Sequence, residues 1–220
     1  GLKELGIAPL EAKTSWENFN QDSDKRDKDY REGGTNYVEY LEEVIMAQRA
    51  CSNNQCKRIC QTGLNFGVSA VALLCSTSKN VKVHSFDMGN HDNYINNGLK
   101  IIEKYYPNRH EFTLGDSTKT LPQLIQNITK SNSNSNDNST NTAASDYCSM
   151  AFVDGGHSFE VAWADIKYFT QLTSPGAILA VENCNVWGME NGWGGMHPVN
   201  EAYSKAISSG YIEHIRQVSV

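Results

Sequence analysis

Short apolar segments typical of strands alternate with segments of helical periodicity along most of the chain, and this alternation constrains the fold more than any other feature. We predict strands over residues 57–61, 81–86, 111–114, 147–153 and 177–181. We predict helices over 36–50, 93–106, 118–130, 158–171 and about 199–208, and a further helix that begins at 69. Strands that alternate with helices pair in parallel, because each helix carries the chain back across a face of the sheet. The sequence therefore predicts an α/β fold, a three-layer sandwich whose mostly parallel sheet has helices on both faces.

The 220 residues fit one domain of ordinary size, preceded by a polar arm. We assign residues 1–35 to the arm, which is rich in charged side chains, and residues 36–220 to the domain. Residues 131–145 consist mainly of Asn, Ser and Thr, which cannot bury enough apolar surface to become ordered, so we predict a flexible surface insertion there. A turn is predicted at 174–176, and a last strand from near Tyr211.

Composition excludes some classes of partner. The formal net charge of -6 argues against a general nucleic-acid binder, which needs a basic surface. No apolar run approaches the roughly 20 residues that span a bilayer. Two of the six cysteines, Cys51 and Cys56, flank a polar turn and are candidates for a disulfide. We expect the other four to be free thiols that pack as small hydrophobic side chains: Cys60, Cys75, Cys148 and Cys184. The cellular compartment stays open, with the cytosol favoured.

Polar or glycine residues follow each predicted strand of the domain. They are the Gly63–Gly67 turn, Asp87, Asp116, Asp154 and Glu182. In parallel α/β sheets, ligands bind outside the carboxyl ends of the strands, so these positions are the candidate site. The glycines let backbone approach a ligand closely, and a carboxylate at the end of the second strand can accept both hydroxyls of a ribose. The alternatives are an ordinary tight turn and a helix N-cap.

Five motifs, in order and at suitable spacing, resemble those of class I S-adenosylmethionine-dependent methyltransferases, which have a Rossmann-like fold. The motifs are Thr62-Gly-Leu-Asn-Phe-Gly-Val-Ser69, Ser85-Phe-Asp87, Gly115-Asp-Ser117, Phe152-Val-Asp-Gly-Gly-His157 and Val181-Glu-Asn183. The sequence is most similar to the small-molecule O-methyltransferase-like group whose fourth strand ends in Asp-Gly-Gly-His. The resemblance implies a small-molecule acceptor, and it leaves the oligomeric state open.

The resemblance also implies roles for individual residues. Gly63, Asn65, Gly67 and Ser69 would hold the methionine end of S-adenosylmethionine, Asp87 the ribose, and Asp116 and Ser117 the adenine, while Asp154 would lie at the centre of methyl transfer. Gln61 is a departure, because related enzymes often have an acid there. Its carbonyl could still accept a hydrogen bond from the cofactor's ammonium group, more weakly than a carboxylate would.

Three oxygen-bearing side chains, Asp154, Glu182 and Asn183, resemble the metal site of catechol-type and sugar-type O-methyltransferases. Hard cations such as Mg²⁺ prefer oxygen ligands. His157 lies where the catechol-type family places a basic residue, and a histidine is suited to removing a proton near neutral pH. The alternatives are an acid pair that only shapes the pocket, a metal-independent O- or N-methyltransferase with His157 as the base, and a non-catalytic domain of the same fold.

Aromatic residues are candidates for a wall over the substrate. Trp187, Trp193 and Met196 lie in a glycine-rich loop after the fifth strand. Tyr37 and Tyr40 of the first helix are further candidates.

Overall fold

A computed structural model describes residues 37–52, 55–90, 92–134, 143–184 and 197–215. The predicted arm at 1–35, most of the predicted insertion and the loop with Trp187, Trp193 and Met196 lie outside the described residues.

The described residues form five strands and six α-helices in alternation, as the sequence predicts. The strands are β1 (Arg58–Thr62), β2 (Lys82–Asp87), β3 (His110–Leu114), β4 (Cys148–Val153) and β5 (Thr173–Val181). The helices are α1 (Tyr37–Ala50), α2 (Val68–Cys75), α3 (Asp92–Tyr105), α4 (Ser117–Asn134), α5 (Phe159–Leu172) and α6 (His197–Ser208), and a short 3-10 turn covers Ala144–Asp146. Helix α4 continues through 131–134, which we had assigned to the flexible insertion, so that boundary was wrong.

All five strands pair in parallel, in the order β3-β2-β1-β4-β5. Successive residues of a strand point to opposite faces, so Ile59 and Cys60 enter different hydrophobic clusters. The cluster that contains Ile59 is completed by apolar side chains of α1, α2 and α3, and the cluster that contains Cys60 by those of α4, α5 and α6. The predicted three-layer, Rossmann-like sandwich is therefore confirmed.

Strand β5 departs from prediction in two ways. Residues 174–176 do not form a separate turn but an irregularity inside the strand, where the pairing with β4 shifts between Cys148 and Met150 and Gly176 adopts a φ of 85°. Residues 177–181 are all apolar, a pattern typical of a buried strand, but only Ala180 among them is buried. β5 is an edge strand of the described sheet, so it has a neighbouring strand on one side only.

The last predicted strand is also wrong. Residues 211–215 have no regular secondary structure. Two aromatic contacts with the helices hold this segment instead: the ring of Tyr211 packs edge-on against Trp163 of α5 at 5.5 Å between centroids, and Tyr203 of α6 hydrogen-bonds His214. The apolar residues that suggested a strand therefore serve helix packing.

Cysteine pairing differs from the expectation of four free thiols. Cys51 and Cys56 form a disulfide, as proposed for the turn between them. Cys60 and Cys148 form a second disulfide, across 88 residues of sequence, and the remaining two cysteines, Cys75 and Cys184, take part in no disulfide. The apolar setting that suggested free thiols is real, because Cys60 and Cys148 are fully buried. The bridge joins the neighbouring strands β1 and β4.

None of the described helices is both long enough and apolar enough to cross a membrane.

Candidate active site

The carboxyl ends of the five strands lie at one edge of the sheet, because all strands are parallel. Backbone hydrogen bonds also join the residues that follow the strands to the neighbouring strands. The N–H groups of four such residues donate to carbonyls of the neighbouring strand: Gly63 to Phe86, Gly115 to Asp87, Asp154 to Thr62, and Glu182 to Val153, at 2.7–3.2 Å. The polar positions predicted after the strands therefore lie along one rim, as the sequence analysis expected.

The glycine turn after β1 is pressed against the end of β4. Gly63 and Gly67 have positive φ values of 79° and 89°, and Asn65 lies at 45°. A Cβ atom on Gly63 would lie 1.9 Å from the carbonyl oxygen of Asp154. Only glycine fits there, so the geometry of the turn and the position of Asp154 are directly coupled.

The other face of the turn packs against α3 through a glycine that sequence reasoning missed. A Cβ atom on Gly98 would lie 2.3 Å from the carbonyl oxygen of Phe66. A glycine within a predicted helix was the available signal, since helix interiors disfavour glycine without a packing reason.

Asp87 anchors the same turn to the end of β2. Its Oδ2 accepts hydrogen bonds from the N–H groups of Leu64 and Asn65 at 2.8 and 3.0 Å, and its Oδ1 accepts one from Gly89 at 2.8 Å. The N-cap alternative fails within the described structure, because these donors belong to the glycine turn and to the bend after β2, not to a helix. Oδ1 has one lone pair left for a further donor.

Gln61 lies below the turn and is fully buried. Its Nε2 donates a hydrogen bond to the carbonyl of Gly63 at 3.0 Å, whereas its Oε1 has no hydrogen-bond partner among the described residues. A buried carbonyl without a donor is unusual in a folded protein. The orphaned atom is the one that the sequence analysis assigned to the cofactor's ammonium group.

Ser69 lies in the first turn of α2 and is buried. Gly67 is the N-cap of this helix and has no side chain that could accept a hydrogen bond from the first N–H groups of α2.

Asp116 begins α4 as its N-cap. Its Oδ1 accepts hydrogen bonds from the N–H of Thr118 at 3.0 Å and from the Thr118 hydroxyl at 2.6 Å, and its Oδ2 lies 3.2 Å from the ammonium of Lys119. The Thr118 hydroxyl is the main cause that lowers the pKa of Asp116. Ser117 follows as the first residue of the helix.

Asp154, Glu182 and Asn183 lie at the ends of adjacent strands. Val153 pairs with Val181, which places Asp154 and Glu182 side by side on the rim, and Asn183 follows with a φ of 60°. No three His, Cys, Asp or Glu side chains are grouped for a metal in the described part of the chain. The predicted set contains only two such side chains and uses an amide for the third ligand.

His157 is exposed at the end of the loop that starts with Asp154. It directly precedes Ser158, the N-cap of α5, whose hydroxyl accepts a hydrogen bond from the N–H of Val161. Ser158, and not His157, therefore caps α5.

One candidate for the substrate wall was wrong. Tyr40 is fully buried and its hydroxyl contacts the sulfur of Cys75 at 3.1 Å, so it belongs to the core. The side chains of Tyr37 and His197 lie outside the described residues.

Sequence reasoning also missed two exposed apolar side chains on the rim. Met88 follows Asp87 and is 52% exposed, and Leu114, whose position pairs with Asp87, is 63% exposed. Exposed side chains of this size next to a polar rim are typical of a ligand surface. The signal in the sequence was an apolar residue at each of two expected strand ends. Met88 directly follows Asp87, and Leu114 is the last residue of the predicted third strand.

A buried carboxylate on α5 was missed as well. Asp165 is fully buried, and its Oδ2 lies 2.8 Å from the position of a Cβ on Gly155, in the loop between Asp154 and His157. Burial raises its pKa to about 6, while the nearby hydroxyls of Ser117 and Thr62 act in the opposite direction.

A parallel sheet with a glycine turn after its first strand, and with acids at the rim, is typical of Rossmann-like proteins that bind nucleotide-type cofactors. A family model described as a methyltransferase domain matches residues 60–184. The chain therefore belongs to the methyltransferase-domain family. No protein of curated function matches the sequence.

Solved methyltransferases, two of them O-methyltransferases, share the fold. The O-methyltransferase from Bacillus cereus in complex with SAH has a TM-score of 0.64 at 14% identity, over 89% of this chain and 79% of its own. TomG from Streptomyces achromogenes, involved in tomaymycin synthesis and solved with SAM, has a TM-score of 0.64 at 15% identity, over 88% and 78%. SAH-bound PaMTH1 from Podospora anserina has a TM-score of 0.59 at 16% identity, over 91% and 80%. The expected class I methyltransferase fold is confirmed, whereas the narrower group with the Asp-Gly-Gly-His motif stays a prediction.

Proposed function

We propose that this methyltransferase transfers the methyl group of S-adenosylmethionine to an oxygen atom of a small molecule. The observation that carries the proposal is the contact of the glycine turn with the end of β4, where Gly63 has no room for a side chain beside Asp154. A cofactor lying on the turn would present its reactive end at Asp154. The SAM- and SAH-bound methyltransferases of the same fold support this choice of cofactor. The two that are O-methyltransferases support the choice of acceptor atom.

The methionine end of the cofactor would lie over Gly63–Gly67 and the first turn of α2 at Ser69. Gln61 would accept a hydrogen bond from the ammonium group through its unpartnered Oε1. Free N–H groups at a helix N-terminus suit the cofactor's carboxylate, because they carry partial positive charge.

The nucleoside end would lie across the ends of β2 and β3. Asp87 would accept a ribose hydroxyl on Oδ1 while its three backbone hydrogen bonds hold the turn in place. The exposed side chains of Met88 and Leu114 would cover the adenine ring, and Asp116 and Ser117 would border it.

Methyl transfer from a sulfonium is an in-line displacement. A new bond forms between the acceptor oxygen and the methyl carbon, the bond from that carbon to sulfur breaks, and S-adenosylhomocysteine leaves with the electron pair. The acceptor's proton must also be removed, and His157 would take it, since its side chain is exposed beside the rim.

Asp154, Glu182 and Asn183 would hold a divalent cation. Their donor set, two carboxylates and an amide carbonyl, fits a hard cation such as Mg²⁺. When bound, such a cation orients the acceptor oxygen and lowers its pKa. The residues themselves would fix the acceptor at the end of β4, opposite the glycine turn.

Calorimetry with S-adenosylhomocysteine tests the cofactor proposal without a known acceptor. We expect saturable binding by the wild-type protein, and a loss of about tenfold in Asp87→Ala, the size expected for one hydrogen bond to a charged group. Asp146→Asn, an exposed position before β4, is the control and should bind normally. A wild-type protein that does not bind the ligand would refute the proposed function.

The acceptor step is tested by release of S-adenosylhomocysteine with a panel of phenols, catechols and sugars. If the cation is required, a chelator abolishes turnover, Mg²⁺ restores it, and Glu182→Gln lowers it. His157→Ala should reduce turnover by about 10²-fold. Full activity in chelator would reject the cation and favour the metal-independent reaction with His157 as the base.

A further inference from the structure

Asp165 is a buried carboxylate that the proposed reaction does not use. It lies on α5, behind the rim, and neither of its oxygens makes a hydrogen bond of normal geometry with a described residue. A buried polar group of this kind needs an explanation, because it lowers the stability of the fold without a complete set of partners.

Its neighbours come from three different segments of the rim. Gly155 belongs to the loop from Asp154 to His157, and a side chain there would collide with the Asp165 carboxylate. Thr62 immediately precedes the glycine turn, and its Oγ1 lies 3.1 Å from the same point of collision. Ser117 begins α4 and follows Asp116, and its hydroxyl lowers the pKa of the Asp165 carboxylate.

From this placement we infer that Asp165 is a positioning residue, which holds the ends of β1 and β4 and the start of α4 in the arrangement that receives the cofactor. The inference rests on the proposed function. The carboxylate attracts the hydroxyls of Thr62 and Ser117, while Gly155 leaves no room for a side chain beside it. A neutral amide of the same shape would attract these hydroxyls less and would turn an N–H donor toward one of them.

This role differs from that of a residue retained for stability. A structural residue contributes to folding and to ligand affinity together, so its removal lowers both. Replacement of Asp165 by Asn should separate the two, since the amide avoids the cost of burying a charge but loses the attraction to the hydroxyls. A gain in stability together with a loss of ligand affinity therefore identifies a positioning role.

The experiment compares Asp165→Asn with the wild-type protein and with the control Asp146→Asn at pH 7.5. We expect Asp165→Asn to unfold at a higher urea concentration and yet to bind S-adenosylhomocysteine about tenfold more weakly in calorimetry. Unchanged affinity would overturn the inference, and so would a parallel loss of stability and affinity. Failure of the wild-type protein to bind would instead refute the proposed function.

A second variant keeps the test decisive if Asp165→Asn does not fold. Thr62→Val removes one hydroxyl at nearly constant shape, and Thr170→Val, half-buried on the same helix as Asp165, is its matched control. We expect three- to tenfold weaker binding of S-adenosylhomocysteine in Thr62→Val and normal binding in the control. In the double variant with Asp165→Asn, the losses should be less than additive. Normal affinity in Thr62→Val, or strict additivity, would overturn the inference.

Discussion

The charge of Asp165 should destabilise the protein above about pH 6, and its removal by Asp165→Asn gives a pH-dependent gain. Burial is the largest cause that raises the pKa of Asp165 from 3.8 to about 6, the Asp116 carboxylate acts in the same direction, and the hydroxyls of Ser117 and Thr62 oppose it. Between these two pH values the folded protein holds a proton that the unfolded chain has released. The stability contributed by this group is therefore present below about pH 4 and is lost as the pH rises through 6.

The magnitude follows from the shift of the pKa. A shift of about two units at 1.36 kcal/mol each corresponds to about 3 kcal/mol at pH 8. At pH 5 the same arithmetic gives about half of this free-energy difference, because pH 5 lies about midway between the pKa values of the unfolded and folded states. The free energy of unfolding of Asp165→Asn should thus exceed that of the wild-type protein by about 3 kcal/mol at pH 8 and by about half as much at pH 5.

Urea unfolding, followed by tryptophan fluorescence at pH 5, 6, 7 and 8, measures this difference. Comparison of the two proteins at each pH cancels the contributions of all other titrating groups. Asp146→Asn, exposed at the opposite end of the sheet, should give a flat difference near zero. A gain that does not grow with pH, or an Asn variant less stable than wild type at pH 8, would show that the carboxylate is not buried at an energetic cost.

Three further predictions concern the turn, the bridge and the sheet. Gly63→Ala should abolish binding of S-adenosylhomocysteine in calorimetry, because its Cβ would lie 1.9 Å from a backbone oxygen; normal affinity would show that the turn does not contact Asp154. Opening the Cys60–Cys148 bridge, which spans 88 residues, should lower the free energy of unfolding by about 4 kcal/mol, and equal urea midpoints with and without reductant would contradict this. Burial lowers the pKa of both His84 and His110 to about 4, so the stability that these two side chains contribute should fall as the pH drops from 6.5 to 4, opposite in sign to the contribution of Asp165 and by up to about 3 kcal/mol for one such side chain. His110→Gln should reduce this part of the pH dependence, and a slope equal to that of the wild-type protein would count against neutral histidines in the fold.

The architecture and the rim were predictable from the sequence, because both follow from local patterns. Apolar periods of two and 3.6 residues located the strands and helices, and the residues after each strand necessarily share an edge of a parallel sheet. The positions of Asp87 and Asp154 at this edge were therefore predicted without coordinates. Their contacts were not, because the close approach of Gly63 to Asp154 joins residues far apart in the sequence.

The remaining features depend on tertiary packing that a single sequence does not encode locally. The pairing of Cys60 with Cys148 requires the register of two strands that are distant in the chain. The burial of Asp165 depends on which face of α5 meets the loop after β4. The sequence around Asp165 is mainly apolar and does not indicate that this carboxylate is buried. The supposed strand at Tyr211 shows the same limit, since apolar residues fit a helix surface as well as a sheet.

The two cysteine bridges have a consequence for how this protein should be made. Disulfides form and persist in oxidising surroundings such as the secretory pathway or the bacterial periplasm, and they are rare where glutathione and thioredoxin keep thiols reduced. Material produced in a reducing cytoplasm would carry six thiols instead of two, and the pair between β1 and β4 would be sealed in the core away from later oxidants. Export to an oxidising compartment, or refolding in a thiol–disulfide buffer, is therefore the route to the cross-linked form, and alkylation of the free thiols with mass spectrometry gives its yield.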